Sequence, residues 1–367
     1  MQTRQHLNST QRSCLERLLG STNYSNNTMK SDSNRARPTI REVAALSGTS
    51  IKTVSRVMNG VTTVDPSLAK AVNQAARKLN YRPNLTAGNL RRVDGRTNTI
   101  GLLLKDISNP FSSSLHRALE DLARAEGFDV IAGSMDEMPE RESELISTFI
   151  SRRVDGLIIV PTTSDHKYLE KERKAGIQFV FIDRPANNFT ADTVVATNRK
   201  SAQQATEHLI NNGHTRIAYM GDSQDIYTAA ERYAGYKAAL AKAKIKLDQS
   251  IIHHGVQDKR EMDEFTTSIL TGTNRPTAIF SSQNYVTIEA IRALTKHKMS
   301  KKIALVGFDD LPFADLVEPG ITLVTQDIQK MAQVAAHLLF ERIKGKTSKA
   351  EIHEIDTIFT QRGSGEL

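Results

Sequence analysis

The chain has no tryptophan and a single cysteine, Cys14, so it can form neither an intrachain disulfide framework nor a cysteine-rich zinc site. Long apolar runs are missing as well; none approaches the ~18 residues that suggest a membrane span. The stretch from Met1 to Gly20 is polar and lacks the apolar centre of a secretory signal peptide. The expectation is a cytoplasmic protein with no membrane partner. There is no Walker motif, GxGxxG, GxSxG or HExxH, which leaves the common phosphate-cradling, acyl-transfer and zinc-hydrolase chemistries without a carrier. His253-His254 has no third ligand at metal spacing, so these read as loop histidines, and neither a metal nor a cofactor is expected. What is present is 367 residues, 39% hydrophobic and 25% charged, enough for two or more domains with sizeable cores.

The net charge of +8 is unevenly spread. Residues 35–96 hold twelve Lys/Arg against three Asp/Glu, a local +9, whereas residues 97–367 sum to −3. A compact basic segment on a slightly acidic body suggests a polyanion-binding head on a separate module. Residues 1–34 are different again: Asn, Ser, Thr and Gln supply 18 of the 34. With little to bury, this extension is expected to be disordered. Met1 and Met29 both stand as candidate starts.

From Pro38 onward the pattern turns helical. Thr39-Ile40-Arg41-Glu42 has capping-box form, and Ile40, Val43, Ala44 and Leu46 keep helical spacing. Ser47-Gly48-Thr49 ends that helix. Ser50 caps a second one, Ile51 to Met58, closed by Asn59-Gly60. Asp65-Pro66 opens a third, with Leu68, Val72, Ala75, Ala76 and Leu79 inward. Two short helices joined by a Gly-containing turn, with a third in support, form a helix-turn-helix head within residues 35–82. The second helix would enter the major groove. Ile51 and Lys52 sit at its tip and Arg56 follows one turn later; Lys and Arg can donate to guanine, and Ile can touch a thymine methyl. Small hydroxyls at helix starts suit phosphates.

Thr39 to Gly60 (TIREVAALSGTSIKTVSRVMNG), then Tyr81-Arg82-Pro83-Asn84, then the Ala87…Leu90 pair, resembles the LacI/GalR family of bacterial transcriptional regulators. The resemblance covers about 330 residues, to the end of the chain. It implies base reading by Ile51, Lys52 and Arg56, and backbone contacts from Thr39, Ser50, Thr53, Ser55 and Asn59. It makes Asn84 to Leu90, within a linker over 83–97, a hinge helix that orders on DNA, with Asn84, Ala87 and Leu90 as its DNA contacts and Leu90 wedged into the minor groove. The family commonly has Arg where this chain has Gly88.

The remainder, 98–367, alternates strands with helices, the pattern of parallel doubly wound sheets that bind ligands beyond the carboxyl ends of their strands. No long-period internal repeat is evident. The resemblance implies a two-lobed periplasmic-binding-protein-like module joined by three crossovers. The first lobe would take about 98–196 and 326–350, the second about 197–325 and 351–367. Asn109 and Phe111 match the first-lobe ligand loop, Asp183 a polar cleft position, Arg232 and Asp309 the ligand-binding Arg and Asp. Phe111 and Phe308 are placed to stack on a sugar ring or base. Where many relatives have Asn-Asp, this chain reads Gln283-Asn284, which removes a carboxylate. An Arg and a carboxylate facing one cleft can grip vicinal hydroxyls from both sides.

The resulting expectation is a repressor, an all-α head plus an α/β effector body, controlled by a carbohydrate or nucleoside. Its partners would be a pseudo-palindromic operator and a second copy of the chain. The sequence ends eight residues after Phe359, leaving no room for the heptad helix that makes some relatives tetrameric. A solute-binding protein without gene control is the rival, opposed by the helix-turn-helix segment and the absent signal peptide; an enzyme is the third reading, opposed by the missing catalytic motifs. The hinge generates a first prediction. Gly88 costs a helix about 1 kcal/mol relative to Ala, and a segment this short is well below the ~12 residues needed for helicity alone. Gly88→Ala should therefore raise operator affinity. Amide exchange across residues 84–90 should be fast without DNA, and strong protection there in the free protein would refute a hinge that orders on binding.

Overall fold

The computed structural model describes residues 38–82, 96–162, 164–255 and 259–367. The expected hinge residues Asn84, Ala87 and Leu90 and the extension over 1–34 lie outside them. The chain divides into two compact units, residues 1–88 and 89–367.

In the first unit three helices, α1 (Ile40–Ser47), α2 (Ile51–Met58) and α3 (Pro66–Lys78), enclose a small core of Val43, Ala44, Val54, Val72, Ala75 and Ala76. Each helix starts on a side-chain cap. The Thr39 amide donates to Glu42 at 2.6 Å while Thr39 Oγ1 accepts from the Glu42 amide at 3.4 Å, completing the capping box. Ser50 Oγ accepts from the Thr53 amide at 3.0 Å, and Asp65 accepts from the Ser67 amide at 2.8 Å. Gly48 ends α1 at φ 65°, a conformation that a side chain would strain. Leu68, expected inward, is exposed, as is Leu46, which keeps helical spacing. Leu68 sits in the first turn of α3, a turn ahead of Val72, and overhangs a core only three short helices wide.

The second unit contains two six-stranded sheets of equivalent strand order. The first uses β1 (Thr99–Leu104), β2 (Asp129–Ser134), β3 (Gly156–Ile159), β4 (Gln178–Ile182), β5 (Asp192–Ala196) and β11 (Ile352–Ile355), in the order β11-β5-β4-β3-β1-β2, all parallel. The second uses β6 (Ile217–Gly221), β7 (Ile252–His254), β8 (Ala278–Ser281), β9 (Ala304–Phe308), β10 (Thr322–Gln326) and β12 (Thr357–Thr360), in the order β12-β10-β9-β8-β6-β7. Only β12 runs antiparallel, against β10. Strands such as Ile100 to Leu104 and Ala304 to Phe308 are buried without alternation, because helices cover both faces of each sheet.

The helices of this unit are α4 (Pro110–Ala125), α5 (Pro139–Ser151), α6 (Leu169–Lys174), α7 (Asn198–Asn211), α8 (Tyr227–Lys242), α9 (Lys259–Thr271), α10 (Asn284–Lys296) and α11 (Ile328–Ile343). Asn109, expected in a ligand loop, also caps α4, its Oδ1 accepting from the Phe111 amide at 2.9 Å. Helices α7 and α8 cross closely at Gly235, where a Cβ would meet the Arg199 carbonyl at 2.2 Å.

The chain crosses between lobes three times: after β5, after β10 and between β11 and β12. One expected boundary is corrected. Residues 352–355 belong to the first lobe, since β11 pairs with β5; the second lobe resumes only at β12. Asp192 at the start of β5 reinforces this pairing. Its carboxylate accepts from Arg342 at 2.8 and 3.2 Å and from the Glu351 amide at 3.0 Å, tying the end of α11 and the entry to β11 to the same strand.

A second buried carboxylate organises the segment after β3. Glu142 accepts from the Thr162 amide at 2.6 Å and from Tyr168 Oη at 3.3 Å, and His166 Nε2 approaches it at 2.9 Å. Burial opposes the charge, but the His166 ring and the Thr162 amide hold this carboxyl below its usual range. A depressed folded pKa contributes stability above the unfolded value, about 4.3, and loses it as pH falls through the folded one. Glu142→Gln should thus lower the melting temperature at neutral pH, with the gap to wild type closing below about pH 4. A gap that stays constant into acid would show that the charge is not what holds the segment.

Candidate functional site

The cleft between the two sheets takes residues from the carboxyl ends of strands in both lobes, as expected for doubly wound folds. The space between these walls, open mouth included, is about 710 Å³. The first lobe supplies Lys105, Asp106, Asn109, Phe111, Asp183 and Arg184; the second supplies Asp222, Arg232, Gln283, Asn284, Asp309 and Gln326.

Arg232 lies on the buried stripe of α8, 4% exposed. Its Nε donates to Asn198 Oδ1 at 2.8 Å, and its Nη1 donates to the Ser282 carbonyl at 2.7 Å and to Asp309 Oδ2 at 3.2 Å. The guanidinium rests 3.8 Å above the centre of the Phe308 ring. The adjacent Glu231 pairs instead with Arg199, at 2.7 Å, so Arg232 is not a surface ion pair. Phe308 corrects the expectation of ring stacking on ligand. It is fully buried and its face is covered by Arg232, so it supports the guanidinium from beneath.

Asp309 and Asp183 hold matching positions, each directly after a strand and each at a positive φ, 69° and 73°. Their amides donate to the neighbouring strand at Val324 and Val194, both at 2.8 Å. Asp309 Oδ1 accepts from Gln326 Nε2 at 2.7 Å, and the Gln326 Oε1 is buried with no partner among the described residues. That atom lies on a residue of the cleft wall and can accept from a ligand hydroxyl. Asp183 accepts from Arg184 Nε at 2.9 Å, and Arg184 Nη1 donates to Glu137 at 2.8 Å. Burial alone would lower the Arg184 pKa, but these two carboxylates raise it above the ordinary value.

At the mouth, Lys105 Nζ crosses from the first lobe to Asp222 of the second at 3.1 Å, where Gln283 Nε2 also donates at 3.0 Å. Asn109 and Asn284 exchange amide hydrogen bonds of 3.1 and 2.9 Å across the cleft. Thus the structure brings Asn109, Phe111, Asp183, Arg232, Gln283 and Asp309 together, and Phe308 behind them. Sequence reasoning placed Arg184, Asp222 and Asn284 in loops after strands, where ligand chemistry is expected, without assigning them a ligand role. Lys105 and Gln326 it passed over.

In the head, Ile51, Lys52 and Arg56 lie exposed on α2. The hydroxyls expected at phosphates are engaged locally: Ser50 and Thr53 lie 2.9 Å apart, Thr39 Oγ1 donates to Glu42 at 2.9 Å, and Ser55 accepts from Asn59 at 3.4 Å. These bonds fix the helix start. Asn84, Ala87 and Leu90 are outside the described residues.

Residues 39–84 match the family model of the lacI bacterial regulatory proteins, and residues 100–347 match a periplasmic binding protein domain. The chain belongs to the LacI family. It is a DNA-binding transcriptional regulator with an effector-binding body, and its relatives are regulators, not enzymes. It is 34% identical over 324 residues to a ribose operon repressor of Halalkalibacterium halodurans, covering 87% of this chain and 94% of that one. A LacI family regulator of Enterococcus faecium with bound ribose aligns with a TM-score of 0.64 at 26% identity, covering 72% of this chain and 98% of that one. The Lac repressor dimer bound to operator aligns with a TM-score of 0.78 over 90% of this chain and 99% of that one; at 23% identity the likeness is one of fold. No helix among the described residues is long and apolar enough to cross a membrane.

Removing one partner of a buried ion pair leaves an uncompensated charge and costs about 3–5 kcal/mol. Asp309→Ala should therefore lower the stability of the body by an amount of that order in urea unfolding. Asp309→Asn removes the same charge while keeping an acceptor for Gln326 and a residue that tolerates the positive φ, so it should recover only a small part of that loss; a near-wild-type Asp309→Asn would mean that the charge of Arg232 is compensated elsewhere.

Proposed function

We propose that the cleft binds a neutral monosaccharide of the ribose class and that the protein is a homodimeric cytoplasmic repressor, released by that sugar from a pseudo-palindromic operator. The observation that carries the ligand class is charge pairing. Every cation lining the cleft already has a carboxylate: Lys105 has Asp222, Arg184 has Asp183 and Glu137, Arg232 has Asp309. Among the described residues no cation is left over for a phosphate, and an anionic ligand would face Asp106 as well. A polyol meets what is there. Its hydroxyls donate to Asp183, Asp309 and Gln326 Oε1, and accept from the Asn109, Arg184 and Arg232 N–H groups. Phe111 is the apolar face available for the ring. The ribose named for two relatives supports the same class. The dimer follows from symmetry, since a two-fold assembly matches two half-sites.

Calorimetry on the full-length protein with D-ribose, a hexose, a nucleoside and ribose 5-phosphate tests the ligand. Saturable binding is expected for ribose and none for the phosphate ester; preferential binding of an anionic sugar or of the nucleoside would replace this reading. Asp309→Asn, and Asn109→Ser, which keeps a helix cap, should each weaken sugar binding at least about tenfold, roughly 1.4 kcal/mol, with operator affinity retained. Unchanged sugar binding in both would remove them from the site.

DNA recognition generates its own expectation. Lys52→Ala should cost about 1–3 kcal/mol of discrimination at one base pair per half-site. A uniform loss across all sequences, with a shallower salt dependence, would make Lys52 a phosphate contact instead.

A further inference from the structure

Arg56 on the recognition helix has a partner in the turn that follows it. Its Nη2 donates to Thr63 Oγ1 at 2.8 Å, seven residues along the chain. Both side chains are exposed, and among the described residues no carboxylate pairs with Arg56. Thr63 is not on a loose loop. The turn over 59–65 leaves α2 through Gly60 at φ 68°, and the Gly60 and Val61 amides donate back to the Val57 and Arg56 carbonyls at 3.0 Å. Its far end is Asp65, whose carboxylate caps α3. A hydroxyl held between two anchored helix ends is a fixed acceptor, and the flexible side chain is the one that conforms to it.

The geometry of a guanidinium makes this bond selective. Nη2 carries two hydrogens, one belonging to the edge shared with Nε and one to the edge shared with Nη1. Donating one of them to Thr63 leaves the other two-donor edge complete, and a guanine offers two acceptors, O6 and N7, to such an edge. An Arg side chain otherwise gives up much of its rotamer freedom when it is ordered on a base.

We propose that Thr63 is a positioning residue for sequence recognition: it holds Arg56 in the conformation that presents one guanidinium edge to a guanine. This rests on the reading of Arg56 as a base-reading residue. Thr63 touches no base itself; it acts by reducing what Arg56 loses on binding.

The test uses the full-length protein and a randomised double-stranded library, sequenced after selection to give base preference at each position. Arg56→Ala should flatten one position per half-site. Thr63→Val, nearly isosteric but without the acceptor, should lower discrimination at that same position about three- to tenfold, and Thr63→Ser should restore it. In the Arg56→Ala background Thr63→Val should have no further effect, the signature of coupling. Melting temperatures of the Thr63 variants should match wild type. If Arg56→Ala flattens one position while Thr63→Val leaves it sharp, the positioning role is overturned and base reading by Arg56 stands. If Thr63→Val weakens all sequences alike and reduces the salt dependence, Thr63 contacts phosphate and the proposal fails. If Arg56→Ala itself weakens all sequences alike, the base-reading assignment falls and the positioning role with it.

Discussion

A guanidinium that is 4% exposed must be neutralised and its donors satisfied, and the second lobe's cleft face is arranged around meeting that demand for Arg232. The donors come from α8, but the acceptors come from three other places: Asn198 opens α7, Ser282 follows β8 and Asp309 follows β9. Phe308 closes the underside. Because each acceptor belongs to a different element, Arg232 fixes how α7, α8 and the ends of two strands stand relative to one another. The close α7–α8 crossing at Gly235 serves the same arrangement, since it brings Asn198 within reach of the Arg232 Nε. The ligand-facing chemistry and the packing of the lobe are therefore one set of contacts, and a substitution here perturbs both.

The two lobes solve the same problem twice. Their strand orders are equivalent, and Asp183 and Asp309 follow the third strand in each order, with the same left-handed backbone and the same bond to the next strand. A non-glycine residue at positive φ is disfavoured, and asparagine and aspartate tolerate it best. The conformation turns the carboxylate back over the end of the sheet. The lobes then diverge in how they balance it: Arg184 is adjacent in sequence, whereas Arg232 arrives from a helix.

That duplication was invisible as a sequence repeat, because what repeats is strand order and backbone conformation, not residue identity. The head was far more legible. Its helix boundaries are written as local chemistry, in Thr39 with Glu42, Ser50 with Thr53, Gly48 and Asp65-Pro66, and the structure uses each of these signals. Period alone failed where tertiary extent decides, as at Leu68, which has the right spacing but no core opposite it. In the cleft, residues in motif-like runs such as Asn109-Pro110-Phe111 and Glu231-Arg232-Tyr233 could be found from the chain. Asp222 and Asn284 were marked only as members of loops that follow strands, and Lys105 and Gln326 not at all, since each acquires its role only from a partner in another element, often in the other lobe. The lobe assignment of 352–355 failed for the same reason: that strand is held in the first sheet by pairing with β5 and by the carboxylate of Asp192, both about 150 residues upstream.

The contacts that join the lobes across the cleft are individually weak. Lys105 is about one-third exposed where it meets Asp222, at 35%, and such ion pairs contribute about 0–1 kcal/mol. The Asn109–Asn284 exchange is neutral, and each of its two bonds nets roughly 0.5–1.5 kcal/mol. The bond from Tyr285 Oη to Asp106 is long at 3.4 Å. Closing the mouth also strips water from Asp106, Asp222 and two amides, which offsets part of these gains. The balance between apposed and separated lobes is thus within a few kcal/mol. On the binding mode proposed above, a ligand gripped from both sides at once, by Asp183 and Asn109 on one wall and by Arg232, Asp309 and Gln326 on the other, would have its full affinity only when the walls are together. Inverting a 1:99 population takes about 5.5 kcal/mol of such differential affinity, within reach of a handful of charge-assisted hydrogen bonds. A carboxylate at position 284 would add a third acid to the Asp106 and Asp222 already at the mouth; the neutral Asn284 amide keeps the seam both pairable and easily broken.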